Sequence, residues 1–465
     1  MMNKPLNSYP WQQFRHPLII ASSGGGGHIS AAESLIEQLK NQVYPKILPQ
    51  HYQKKPSSKW ISLETLIQFA CFLSQLPGLK KYLPIQFPSV KQLQQEIEQL
   101  NRKNEQKQKC YIDFMLDIQP NGYCFVALFN HLQKLAHPNS LYHIVKHQDV
   151  MDKFYKRYIR QQIYSHLIDE LAKGQAYDVV LSTQAIGIPA ICSAIALYNE
   201  QRKELARQYQ CKVPEIQLHQ FITDIPQRSA QHYLKPLESL NYLEKQCVTL
   251  HLIDLKQHNY FLEKKHCHRI YRYHPDQNPM IRHAFRQQTE KLPFAVHCIS
   301  ILNHFIVKTP KEKLALILLS SSNGNIILDY LKSLFHMKIQ HVVIAGQISL
   351  EISETISTLK PEKSQLYLPG FLASQDLSKL LKETDILVLK AGGLSIMEIA
   401  STHLPKTCFI GIHQAQSNAQ TEADKGLAWE EGNAQWLLNQ YPNTCLVEPK
   451  TLEQKWELSF NLCQS

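Results

Sequence analysis

Apolar and polar positions follow two rhythms along this chain. Short runs of β-branched and other apolar residues alternate with longer stretches whose apolar positions recur every three to four residues, which predicts parallel α/β units. In the first half, "PLIIAS" (17–22), "YDVVLST" (177–183), "IQLHQFITD" (216–224) and "QCVTLHLID" (246–254) read as buried strands. "ISAAESLIEQL" places Ala32, Leu35, Ile36 and Leu39 on one helical face. The stretch from about 44 to 140 is less regular and rich in Lys and Gln, and reads as a helical insertion. The second half restarts the pattern with "LALILLSS" (314–321), "HVVIAG" (341–346), "QLYLPGF" (365–371), "DILVLK" (385–390) and "PKTCFIG" (405–411), the last strand of the series. "IILDYLKSLF" and "ASQDLSKLLKET" read as helices, the latter with Ser374 as N-cap and Leu377, Leu380 and Leu381 inward. "TLEQKWELSFNLC" reads as a C-terminal helix. The pattern is that of two doubly wound domains, residues 1–283 and 284–465, joined within the proline-punctuated segment 273–293.

Composition narrows this picture only slightly. A length of 465 residues gives room for two large cores. The formal net charge of +11 suits nucleic acid, an anionic membrane or phosphorylated ligands without choosing among them. The 11 cysteines include no C-x-x-C pair and read as free thiols in a reducing compartment. "MMNKPLNSYPWQQFRHP" lacks the apolar centre of a secretory signal. The nearest approach to a membrane span, Trp60 to Leu79, carries Glu64 and breaks at Pro77-Gly78, so it reads as an amphipathic or buried helix.

Two glycine-rich loops stand between a strand and a helix, where open α/β sheets bind ligands. "SSGGGGH" lacks the G-K-[ST] ending of a nucleoside-triphosphate loop and the spacing of a dinucleotide fingerprint. Gly25, Gly26 and Gly27 suit close approach of a ligand. His28 then falls in the first helical turn, where the positive helix end disfavours imidazolium and favours the neutral base. His28 as a plain helix cap is the competing reading. Asp224, ending "FITD", is placed to orient His28 or meet an acceptor hydroxyl, or is simply a turn residue. In "DILVLKAGGLSIMEIA", the amides after Gly392 and Gly393 suit phosphate oxygens, Ser395 adds a hydroxyl, and Glu398 suits two ribose hydroxyls. A tight turn with a surface Glu is as good a reading of the same pattern. Ser321, Ser322, Asn323 and Gly324 follow another strand and offer more donors to the same phosphates; Gln416 and Asn418 in "HQAQSNAQ" offer amides to sugar hydroxyls. His266, Cys267 and His268 are too close for tetrahedral ligation and read as part of a basic strand edge. The chain has no D-x-D, so no metal-bridged diphosphate site is indicated.

Taken together, "SSGGGGHISAAESL", "FITDIPQ", "NPMIRHAF" and "LPGFLASQDLSKLLKETDILVLKAGGLSIMEIASTHLP" resemble the GT-B glycosyltransferases of family 28. The likeness is to the branch of monogalactosyldiacylglycerol synthases and processive diacylglycerol glucosyltransferases, and it spans most of the chain except 44–140. It implies an α/β GT-B fold, two Rossmann-like doubly wound domains facing across a cleft. The N-terminal domain would bind the acceptor and the C-terminal one a nucleotide sugar. It implies an inverting, metal-independent transfer of a hexose from a UDP-sugar to the hydroxyl of a diacylglycerol-like lipid, with no cofactor besides the UDP-sugar co-substrate. His28 would deprotonate the acceptor, assisted by Asp224. Phe371 would face the base, Ser321, Gly392, Gly393 and Ser395 would hold the pyrophosphate, and Lys390 would belong to the same donor site. Glu398 would take the ribose and Gln416 the sugar. The implied location is cytoplasmic, with peripheral attachment to an anionic membrane through the stretch from Trp60 to Lys81; no nucleic-acid partner is implied. Two other readings stay open: transfer to a protein or soluble small molecule, and a sugar-nucleotide epimerase of similar fold.

Overall fold

Among the described residues, two six-stranded sheets, parallel throughout, form the framework. They are seen in a computed structural model that describes residues 9–23, 26–39, 90–106, 110–118, 122–134, 148–225, 231–253, 267–286, 297–301, 304–309, 311–319, 326–346, 348, 350–359, 364–402, 407–411, 428–441 and 443–462. The chain divides into two units, residues 1–131 with 139–280 and residues 132–138 with 281–465.

The first unit contains β1 (Pro17–Ala21), β2 (Ile112–Asp113), β3 (Val179–Ser182), β4 (Gln217–Phe221), β5 (Val248–Ile253) and β6 (Arg269–Tyr273), in the order β2-β1-β3-β4-β5-β6. β1, β3 and β5 are buried at every position, as parallel strands covered on both faces must be. The edge strand β6 is exposed at Arg269 and Arg272, in line with the basic edge expected there. Strand order reverses between β1 and β3, so the topological switch point lies where their carboxyl ends emerge. The stretch expected to be a helical insertion does contain helices, Val90–Gln106 and Gly122–Lys134, but it also supplies β2, which pairs with β1 through Ile20–Ile112 and Ala21–Asp113. An edge strand of two residues leaves too short a pattern for sequence periodicity to register.

Helix Ile188–Glu200 covers this sheet with Ile188, Ile191, Ala194, Ile195 and Tyr198, all buried. Its N-cap, Gly187, has φ +76, and a Cβ there would come within 2.3 Å of the Phe114 ring. Both the left-handed backbone and the close approach require glycine.

A hairpin of β7 (His297–Ile301) and β8 (His304–Lys308) leads into the second unit's sheet. That sheet holds β9 (Leu314–Leu318), β10 (His341–Ala345), β11 (Gln365–Gly370), β12 (Ile386–Leu389), β13 (Thr407–Gly411) and β14 (Thr444–Val447), in the order β11-β10-β9-β12-β13-β14. This is the 3-2-1-4-5-6 order of a Rossmann sheet, with its switch point between β9 and β12. The series does not end at β13: β14 follows at the edge, with a half-exposed burial pattern too weak to read as a strand in advance. Helix Ser374–Glu383 buries Leu380 and Leu381 but leaves Leu377 half-buried. Its N-cap is Ala373, whose backbone is extended, not Ser374, which is already the first helical residue and whose hydroxyl accepts from Arg282.

Candidate functional site

Each switch point carries one glycine loop. In the first unit, β1 runs into Ser22 and Ser23, and the helix Gly26–Gln38 begins after two further residues. Gly25 lies outside the described residues; Gly26 and Gly27 form the helix start and His28 its first turn. The sequence permits this because Ala31, Ala32 and Leu35 bury one face against the sheet, while small residues keep its mouth narrow.

His28 is half-buried and held through Nδ1, which lies 2.7 Å from the main-chain carbonyl of Thr183 at the end of β3. A carbonyl only accepts, so Nδ1 carries the proton and Nε2 the lone pair. Thr183 Oγ1 donates to the His28 carbonyl at 2.7 Å, gripping the same residue by its backbone. Tyr233 donates to the Thr183 carbonyl at 3.1 Å and lies 2.7 Å from the Thr223 hydroxyl; both hydroxyls stand 3.2–3.3 Å from Nδ1. The ring is thereby fixed in tautomer and orientation. Burial lowers its pKa below the ordinary 6.5, the nearby Asp224 charge and the Thr183 bond partly oppose this, and His232 adds to the lowering. His28 is therefore a neutral imidazole at pH 7 with an accepting Nε2.

Asp224 is buried close to this cluster, with Oδ2 3.2 Å from His232 Nε2. The residue that fixes Nδ1 is Thr183, not Asp224; the carboxylate acts on His28 through its charge. Thr183, Thr223 and Tyr233 were not singled out from the sequence. Thr183 ends the run "VLST" beside a switch point, which is a usable signal; Tyr233 lies in a helix with nothing in its spacing to mark it.

In the second unit, β12 ends at Leu389, and Lys390, Ala391 and Gly392 lead into helix Gly393–Ser401. Gly392 is the N-cap in extended conformation and no side chain caps the helix. First-turn amides without a side-chain cap at the positive helix end suit an anion. A Cβ on Gly392 would meet nothing nearer than Ser395 Oγ at 3.9 Å, so the space over the turn is open. Ser395 is exposed beside it. Lys390 is drawn to Glu430, Nζ to Oε1 2.8 Å, and Asn433 Nδ2 holds the Ala391 carbonyl at 3.0 Å, bracing the turn from helix Ala428–Gln440.

Glu398 is 4% exposed and both its oxygens accept from Arg282, Nε at 2.6 Å and Nη2 at 2.8 Å. Arg282 Nη1 also donates to Ser374 Oγ at 3.1 Å, and its guanidinium stands 4.8 Å from the Phe285 ring centre. Burial raises the Glu398 pKa and the guanidinium opposes this. The bidentate pair thus engages the carboxylate expected to meet ribose hydroxyls. Phe371, 72% exposed at the end of β11, presents a bare ring. Ser321, Ser322, Asn323, Gly324, Gln416 and Asn418 lie outside the described residues, as does the stretch from Trp60 to Lys81.

Among the described residues, no group of three or more His, Cys, Asp or Glu side chains is arranged to hold a metal ion, and no helix is long and apolar enough to cross a membrane.

No family model matches the chain, and no curated protein matches its sequence. Solved structures to which it is similar include MurG from Acinetobacter baumannii, 12% identical, covering 97% of this chain and 90% of that one, with a TM-score of 0.39. Another is UGT89C1 from Arabidopsis thaliana complexed with UDP-L-rhamnose, 12% identical, covering 94% and 86%, with a TM-score of 0.44. The same enzyme complexed with quercetin is 11% identical, covering 97% and 90%, with a TM-score of 0.41. From its own strand order and pairing, the chain carries two parallel, helix-flanked sheets among the described residues, two Rossmann-like units consistent with those of GT-B proteins.

Proposed function

We propose that this chain is a glycosyltransferase that moves a sugar from a UDP-sugar to an acceptor hydroxyl, with His28 as the general base. The observation that carries the proposal is the commitment of His28 Nδ1 to the Thr183 carbonyl, which leaves Nε2 as the proton acceptor at a sheet switch point. Nε2 takes the proton as the acceptor oxygen attacks the anomeric carbon. The bond from that carbon to the β-phosphate oxygen breaks, and the electron pair leaves with UDP, inverting the configuration. The growing negative charge on the diphosphate is met by the amides after Gly392 and by the Ser395 hydroxyl. Phe371 offers a face for the base, and Glu398 meets the ribose through the lone pairs that Arg282 leaves available. Asp224 holds His232 and keeps a negative charge near the imidazolium that forms.

A neutral acceptor hydroxyl suits the first unit better than an anionic one, because buried carboxylates at Asp113 and Asp224 flank the region. A soluble small molecule and the head of an uncharged lipid both meet that requirement. The site's charge does not choose between the two, and the lipid reading rests on the family resemblance.

Calorimetric titration with UDP and a panel of UDP-sugars tests the donor half. Binding by wild-type protein and by His28→Gln alike, with turnover only in wild type, is the expected result. Failure of every uridine nucleotide to bind overturns the proposal. Product formation with water-soluble acceptors, compared with vesicles containing diacylglycerol, separates the two acceptor classes.

A further inference from the structure

We infer that Asp113 is a positioning residue for His28, acting through Ser23 at the start of the glycine loop. The inference rests on the proposed role of His28 as base, but its structural part stands on the bonds alone.

Asp113 ends β2, the short strand laid against β1 by the segment between the first strand and β3. Its carboxylate is 1% exposed and has no need of a cation, because peptide groups surround it. Ser23 N–H lies 3.1 Å from both Oδ1 and Oδ2, and the Ser23 hydroxyl donates to Oδ2. Met115 and Leu116 N–H each donate to Oδ1 at 3.1 Å, and Asp117 Oδ2 accepts from the Asp113 N–H at 2.8 Å. Hydrogen bonds to an ionised acceptor are about twice as strong as neutral ones. One carboxylate thus ties the end of β1 to the turn Phe114–Ile118.

The consequence for His28 follows from chain reach. Three residue steps separate Ser23 from Gly26, a span of at most about 11 Å. Fixing Ser23 therefore confines the helix mouth, and His28 stands in the first turn. The two strands flanking β1 then do matching work. β3 contributes Thr183, which grips His28 by ring and carbonyl; β2 contributes Asp113, which grips the approach to the same turn. The far end of the helix is pinned separately, with Ser34 Oγ and Gln38 Nε2 donating to the Pro279 carbonyl at 3.0 and 2.6 Å.

The test compares Asp113→Asn, Ser23→Ala and the double variant with wild type. His28 is followed by nitrogen-15 imidazole spectra, assigned by the loss of its signals in His28→Gln. Asp113→Asn is expected to remain folded and bind UDP as wild type does. Its His28 Nδ1–H signal exchanges with solvent at least about tenfold faster, and kcat falls by about tenfold with KM for the UDP-sugar unchanged. Ser23→Ala moves both quantities in the same direction by less, and the double variant falls short of the sum of the two. A purely structural role lowers the melting temperature without moving the His28 signals, and that result overturns the inference. So does an unchanged His28 signal in Ser23→Ala, should Asp113→Asn fail to fold. The spectra need no substrate, so they hold even if no UDP-sugar binds; in that case the proposed activity fails and the positioning role is still decided.

Discussion

The two glycine loops have the same local grammar and opposite electrostatics. Each follows an apolar strand at the point where its sheet reverses order, and each opens a helix. At the first, a fully buried carboxylate stands beside Ser23, a second lies at Asp224, and a neutral imidazole occupies the first turn. At the second, the one acidic residue of the helix, Glu398, is matched by Arg282, and the N-cap is a glycine without a side chain. The positive helix end is therefore opposed by nearby negative charge in the first case and left available in the second. Glycines between strand and helix permit close approach; what approaches is decided by the side chains that neighbouring strands bring up.

The sharpest way to break this contrast is His28→Gln. It is expected to lower kcat by roughly 10²–10⁴-fold, the usual worth of a general base, while calorimetry finds UDP affinity unchanged. An equal loss of UDP binding would erase the distinction between the loops. Next is Arg282→Met, which strands a buried carboxylate at Glu398 and is expected to cost about 3–5 kcal/mol in urea unfolding, with much of it recovered in Arg282→Met/Glu398→Leu. Gly392→Val follows. The extended backbone and open space there accept a side chain, so stability falls by only about 1 kcal/mol for the poorer N-cap, while UDP affinity drops by about tenfold or about 1.4 kcal/mol. Tyr233→Phe removes one hydroxyl from the Thr183 carbonyl and is expected to cost about 1 kcal/mol in kcat/KM, with KM for the donor unmoved.

The smallest effect is that of mild acid. Because the folded pKa of His28 lies below 6.5, at least half the rings stay neutral at pH 6.5, and kcat/KM between pH 8 and 6.5 changes by less than about twofold. The acid limb appears only below that. Stability has the same sign. His219, lowered to about 4 by burial and by Arg269, and His251, lowered well below 6.5, are also neutral in the folded chain. The unfolded chain takes up protons first as pH falls below 6.5, so stability declines from there through the folded values. Urea midpoints at pH 7.5, 6 and 5 follow the decline, and a midpoint that rises with acid contradicts it.

How much was legible depended on the kind of signal. Strands such as "LALIL" and "HVVIA" were plain, because a parallel strand covered on both faces must be apolar at every position. β2 and β14 were not, since a two-residue edge strand and a half-exposed one carry little periodicity. Within the candidate site, His28 and the Gly392-Gly393 turn stood out by residue type and by place after a strand. Thr183, Tyr233 and Asp113 did not, because their roles are bonds to partners 50 to 205 positions away in the chain. Glu398 was visible, but its engagement by Arg282, 116 residues distant, was not.

By itself the sequence determined the alternation of strand and helix, the two-part organisation, and the two glycine loops between a strand and a helix. Those follow from local periodicity and from the absence of side chains, which need no knowledge of distant neighbours. The tertiary structure alone decided which ring nitrogen of His28 is protonated, which loop sits beside negative charge, and which carboxylate is already paired. Hydrogen bonds and charge pairs act over a few ångströms in space, and the strand order, not the chain order, sets who is within that reach.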